Sequence, residues 1–121
     1  MSSHILVVED NPQNLELVEF LLEEAGFCVR AARDAEEMRR ELAAGLPALV
    51  LMDIQLPGTD GLKLVQEIRA RPEADALPVV ALTAHAMRGD RERFLAAGCD
   101  GYIPKPIDIA TFADEVRRYL A

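Results

Sequence analysis

The sequence is short of several things, and each shortage narrows what the chain does. No apolar run approaches the length needed to cross a bilayer. Met1-Ser2-Ser3 leads straight into a short apolar stretch, with no basic n-region, apolar h-region or small-residue cleavage site of the secretory type. A soluble, cytoplasmic protein with no membrane partner is the expectation. Cysteine is scarce: Cys28 and Cys99 are far apart and form no CxxC, so they read as two small buried thiols rather than a disulfide or a metal pair. Basic charge is short too. Thirteen Lys and Arg face 21 Asp and Glu, a net charge of −8, which argues against a non-specific nucleic-acid or anionic-membrane surface. The same imbalance leaves room for a cation-binding acidic cluster. No low-complexity linker or internal repeat interrupts the chain.

At 121 residues the chain has the length of one domain, spanning 1–121 with its core over 4–120, and can bury a single core without staples. Half its residues are apolar and 28% are charged, which is globular rather than disordered composition.

The order of patterns is βα, five times over. His4-Ile5-Leu6-Val7-Val8 is a compact apolar strand ending in Glu9-Asp10-Asn11-Pro12; His4 reads as a surface residue at its start. Pro12 suits a first helical turn, Leu15, Val18, Leu22 and Ala25 recur at helical spacing, and Gly26 stops them. Phe27 to Ala32 reads as the second strand. Asp34 is a candidate N-cap, Glu37 completes a capping box, and Met38 and Leu42 mark the inner face of a helix ending at Gly45. The third strand runs from Ala48 to Met52 and delivers Asp53 into a Pro57-Gly58 turn, and Asp60 caps a helix with Leu62, Val65 and Ile68 inward. A polar connector from Glu73 to Leu77 precedes the fourth strand, Pro78 to Leu82, which ends in Thr83-Ala84. A helix from about Arg88 to Ala97 stops at Gly98. Gly101 to Pro104 is a short fifth strand before Lys105-Pro106, and Ile109, Phe112, Val116 and Leu120 form the inner stripe of the last helix. This alternation implies an α/β doubly wound parallel sheet with five strands and five helices.

Four of the five strands end in polar groups of different kinds: Glu9 and Asp10, then Asp53, then Thr83, then Lys105. In a parallel sheet those ends converge on one edge, where such folds place their ligands. Three carboxylates together repel unless a cation neutralises them, and hard oxygen donors without His or Cys suit Mg²⁺ or Mn²⁺. Lys105 adds a positive charge and Thr83 a hydroxyl, so the edge could also hold a phosphoryl group against the metal.

The acidic pair Glu9-Asp10, Met52-Asp53 with Leu56-Pro57-Gly58-x-Asp60-Gly61, Leu82-Thr83-Ala84 and Tyr102-Ile103-Pro104-Lys105-Pro106 stand in the order and positions of a known family. The chain resembles the receiver domain of two-component response regulators from His4 to Leu120. The resemblance implies a flavodoxin-like sheet of order 2-1-3-4-5. It implies that Asp53 accepts a phosphoryl group from a phosphohistidine and is itself among the Mg²⁺ ligands, that Asp10 binds Mg²⁺ directly and Glu9 through water, and that the Gln55 backbone carbonyl completes the set. Thr83 and Lys105 would hold the phosphoryl oxygens. Thr83 and Tyr102 would move together as a switch that remodels the surface of the fourth helix, fifth strand and fifth helix, and Lys105-Pro106 would be a cis peptide. Gln55 and His85, each two residues after a site residue, are the candidates for tuning self-dephosphorylation.

The expected function is therefore a phosphoacceptor signalling module, not an enzyme, which catalyses only its own Mg²⁺-dependent phosphorylation and slow dephosphorylation. Its partners would be a histidine kinase or histidine phosphotransfer protein and a downstream protein, with no direct nucleic-acid binding, as a monomer or a phosphorylation-dependent homodimer. The alternative is a pseudo-receiver acting as a binding surface, which the complete set of acids, Thr and Lys disfavours. A phosphohydrolase with an aspartyl intermediate is disfavoured because Gln55 stands where a second acid would be needed. A flavodoxin is disfavoured because the loop after the first strand is acidic where phosphate needs donors. The sequence resembles both stand-alone regulators and receivers of hybrid kinases.

Overall fold

The computed structural model describes residues 4–56, 58–84 and 89–120. Its strands are β1 (His4–Val8), β2 (Cys28–Ala32), β3 (Leu49–Asp53), β4 (Val79–Thr83) and β5 (Gly101–Pro104), and its helices α1 (Pro12–Glu24), α2 (Ala35–Ala44), α3 (Gly61–Arg69), α4 (Asp90–Ala97) and α5 (Phe112–Leu120). The strands form one parallel sheet in the order β2-β1-β3-β4-β5, the flavodoxin-like order implied by the resemblance.

Alternation along the strands divides the core between the two faces of the sheet. Leu6, Val8, Val50, Met52, Val79 and Ala81 pack under Met38, Leu42, Val65, Ile68 and Phe94 of α2, α3 and α4. Ile5, Val7, Leu49, Leu51, Val80, Leu82 and Ile103 pack under Leu15, Val18, Leu22, Phe112 and Val116 of α1 and α5. β3 and β4 are buried at every residue, which explains their continuous apolar reading. β2, at the sheet's edge, alternates exposed and half-buried residues over most of its length.

The first three helices start on side-chain caps. Asn11 Oδ1 accepts the N–H groups of Gln13 and Asn14 at 2.9 and 3.1 Å, with Pro12 as the first helical residue of α1. Asp34 Oδ1 accepts Glu37 N–H at 2.8 Å, and Asp60 Oδ1 accepts Leu62 N–H at 2.9 Å. Both aspartates do what their positions in the sequence indicate.

Four expectations need correction. Cys28 is exposed, because the outer strand of the sheet leaves its side chain uncovered, and only Cys99 is buried. The connector after α3 is not wholly polar: Pro72–Ala74 forms a 3₁₀ turn that buries Ala74 completely. Ile109 is 66% exposed and precedes α5, which begins at Phe112, so the inner stripe starts one turn later. His4 is half-buried rather than a surface residue, because β1 lies between β2 and β3.

Candidate functional site

The same alternation that divides the core also assembles the site. Asp53 continues the parity of Leu49 and Leu51, Glu9 that of Ile5 and Val7, and Lys105 that of Ile103, so all three extend one face of the sheet at its C-terminal edge. Thr83 continues the opposite parity, that of Val79 and Ala81. Short backbone bonds hold the strand ends in register: Glu9 N–H to the Ala32 carbonyl at 2.9 Å, Ile54 N–H to the Leu82 carbonyl at 3.1 Å, and Lys105 N–H to the Thr83 carbonyl at 2.7 Å.

Glu9, Asp53 and Thr83 are buried among the strand ends, Glu9 completely, while Asp10 is half-buried at the mouth. Carboxylate oxygens of Glu9, Asp10 and Asp53 lie within 4.8 Å of one another. The Lys105 ammonium stands 3.0 Å from Glu9 Oε1 and 3.4 Å from Asp53 Oδ1. Glu9 Oε2 is buried and accepts no hydrogen bond from the described residues. Burial, and then hydrogen bonding to Asp53, raise the Glu9 carboxyl from 4.5 to about 7 against the opposing pull of Lys105. One lysine offsets one of three acids, and a buried carboxylate oxygen still lacks a donor. An all-oxygen, under-neutralised cluster of this kind fits a hard divalent cation.

Gln55 is exposed at the rim. Its N–H donates to Asp53 Oδ1 at 3.0 Å, and its side-chain Oε1 accepts the Ala84 N–H at 3.4 Å. Tyr102 is half-buried and meets Phe94 edge to face, the ring centres 5.8 Å apart. Lys105-Pro106 is cis. His85 lies outside the described residues. The structure thus brings Glu9, Asp10, Asp53, Gln55 and Lys105 together and places Thr83 at the neighbouring strand end.

Sequence reasoning missed two supports of the site. Gly61, the first residue of α3, packs so closely on the Asp53 loop that a Cβ there would lie 2.5 Å from the Asp53 carbonyl oxygen and 2.6 Å from Ile54 Cα. Phe94 backs Tyr102 from α4. Gly61 was visible as part of Asp-Gly before a helix, but the carbonyl it faces is set by the turn between β3 and α3. Phe94 carried no such local signal.

Comparison with known proteins agrees with this arrangement. Residues 5–117 match the response regulator receiver domain family. The chain is 38% identical over 123 residues to the polar-differentiation response regulator DivK of Brucella ovis, covering 99% of this chain and 98% of that protein. The receiver domain of a sensor histidine kinase from Pseudomonas aeruginosa, solved with a magnesium ion coordinated in its active-site cleft, is 36% identical with a TM-score of 0.87, covering 99% and 98% of the two chains. The chemotaxis protein CheY4 of Vibrio cholerae, 22% identical, shares the fold with a TM-score of 0.92 over 99% of this chain and 100% of its own. With the motifs in order, the strand ends converging on one acidic edge and the match spanning nearly the whole sequence, this chain belongs to the response regulator receiver domains of two-component signalling.

Proposed function

We propose that the chain is a phosphoacceptor module that takes a phosphoryl group from a phosphohistidine onto Asp53. The observation that carries this reading is the meeting of a buried Asp53 with Lys105 at 3.4 Å and with Glu9 and Asp10 within 4.8 Å, in a chain whose receiver motifs are complete. In the transfer the N–P bond of a phosphohistidine protonated on its other ring nitrogen breaks, an Asp53 carboxylate oxygen forms the new O–P bond, and the imidazole leaves neutral with the electron pair of the broken bond. The product is an acyl phosphate. The loose transition state asks for positioning and charge neutralisation more than covalent help.

Asp10 would bind Mg²⁺ directly, Glu9 through water, and the Gln55 carbonyl would complete the protein's contribution, with Mn²⁺ an acceptable substitute. The receiver domain from Pseudomonas aeruginosa, solved with a magnesium ion in its active-site cleft, supports a divalent cation at this edge. Bound there, the cation would offset carboxylate charge and that of the incoming phosphoryl oxygens. Lys105 and Thr83 hold those oxygens. Phosphorylation adds roughly −1.5 to −2 charges. Thr83 and Tyr102 respond to it as a pair, changing the α4, β5 and α5 surface offered to a downstream protein. Gln55 and His85 tune the decay of the phosphorylated form.

The phosphodonor is a histidine kinase or phosphotransfer protein. A cleft of about 320 Å³, lined by Asn14, Leu17, Ala84, Lys105, Pro106 and Ile107, lies beside the site lysine and is the surface we assign to such a partner. The chain acts as an enzyme on itself alone.

The test is incubation with Mg²⁺ and a small acyl phosphate, followed by intact mass and site mapping, with Asp53→Asn as control. One phosphoryl adduct on Asp53, not formed when chelator is present and absent from the variant, is the expected result. Equal uptake by Asp53→Asn, or no uptake from acyl phosphate or any phosphohistidine donor, overturns the reading. Unchanged decay rates in Gln55→Ala and His85→Ala would remove those two residues from the tuning role.

A further inference from the structure

One side chain ties the Asp53 loop to the end of β4. Gln55 donates its backbone N–H to Asp53 Oδ1 at 3.0 Å, while its side-chain Oε1 accepts the Ala84 N–H at 3.4 Å. Ala84 directly follows Thr83, whose carbonyl is taken by Lys105 N–H at 2.7 Å. The Ala84 N–H is therefore a neutral backbone donor at the same sheet edge as the acceptor carboxylate. Donors in that position suit the oxygens of a phosphoryl group, because a charged acceptor makes a hydrogen bond roughly twice as strong as a neutral one.

We infer that the Gln55 carboxamide is a placeholder: it occupies the Ala84 N–H in the unmodified protein, and a phosphoryl group on Asp53 must take that N–H from it. The inference rests on the phosphoacceptor reading and adds the residue that opposes the phosphorylated state. A separation of 3.4 Å is at the long end for an N–H···O bond, so the strap releases easily. A carboxamide also suits the position chemically. It accepts a hydrogen bond without adding a fourth negative charge beside Glu9, Asp10 and Asp53, which a carboxylate at 55 would do. Its length matters as well, because asparagine is one methylene shorter and falls short of Ala84. Release breaks the tie between the Asp53 loop and the residue after Thr83, so loading Asp53 and handing over the Ala84 N–H become one event.

The experiment uses beryllofluoride, a mimic of the phosphoryl group, titrated with Mg²⁺ into the wild type, Gln55→Ala and Gln55→Asn. The Ala84 amide is followed by proton–nitrogen correlation spectra and hydrogen exchange. Gln55 is exposed, so its truncation leaves no core cavity. In the free proteins the Ala84 amide should exchange faster in both variants than in the wild type. Both variants should bind beryllofluoride more tightly, by about two- to threefold, the low end of the range set by one net hydrogen bond, and the bound forms should protect Ala84 equally. Equal or weaker binding by the variants, or unchanged Ala84 exchange in the free proteins, overturns the placeholder. A wild type that binds no beryllofluoride overturns the phosphoacceptor reading itself, and the placeholder with it.

Discussion

Glu9 is fully buried, keeps one oxygen without a described donor, and has its carboxyl raised to about 7. A carboxyl raised above its ordinary 4.5 favours the folded state while protonated, so its contribution is complete below about pH 4.5 and lost as pH climbs through 7. Urea unfolding in chelator should therefore show stability falling between those values, and Glu9→Gln should flatten that slope; an unchanged slope in the variant would assign it to other groups. The cysteines offer a second check at this scale. Burial pushes the Cys99 thiol up to about 11, whereas Cys28 is exposed on β2. Alkylation at neutral pH should add one group to the native protein, mapped to Cys28, and a second only after unfolding. Modification of Cys99 at a similar rate would show that its cover opens readily. The acids, Thr83 and Lys105 were all legible in the sequence because each follows an apolar strand directly. The exposure of Cys28 was not, since a residue's own type says nothing about which strand lies at the edge.

The elements hold the site by a few contacts that no periodicity announces. α3 begins against the Asp53 carbonyl, and only a residue without Cβ fits there. Gly61→Ala should cost about 1–3 kcal/mol in urea unfolding, as overpacking does, and should slow phosphoryl uptake because the carbonyl that must yield is that of Asp53. Wild-type uptake in a destabilised variant would show that the loop relaxes away from the site. At the opposite end of α3, Arg69 donates to the carbonyls of Gly98, Ala74 and Leu77 at 2.8, 3.0 and 2.7 Å and pairs with Asp100 at 2.9 Å. It thereby joins α3, the 3₁₀ turn, the end of α4 and the approach to β5. Arg69→Ala should cost roughly 2–4 kcal/mol, since several carbonyls lose a charged donor at once. A loss under about 1 kcal/mol would mean that water replaces the guanidinium there. Helix starts at Asp34 and Asp60 were readable from capping chemistry, but the partners of Gly61 and Arg69 are 29 residues distant for Gly98 and across a turn for Asp53.

For the whole molecule, a cation that binds the folded acidic cluster but not the unfolded chain must stabilise the fold. Mg²⁺ at a hundredfold excess over its dissociation constant should add about 2.7 kcal/mol, seen as a rise in the thermal midpoint that chelator reverses. Asp10→Asn should weaken that rise, and a midpoint indifferent to Mg²⁺ in the wild type would remove the cation from the site. The sequence by itself determined the five βα units, the apolar faces and the kind of group at each strand end, because period, capping and turn chemistry are local and act within a few residues. Only the tertiary structure decided which of those groups touch. Lys105 lies 96 residues from Glu9 and reaches it because β5 and β1 end on the same edge of one sheet, an arrangement made by strand order and parity rather than by any neighbouring residue.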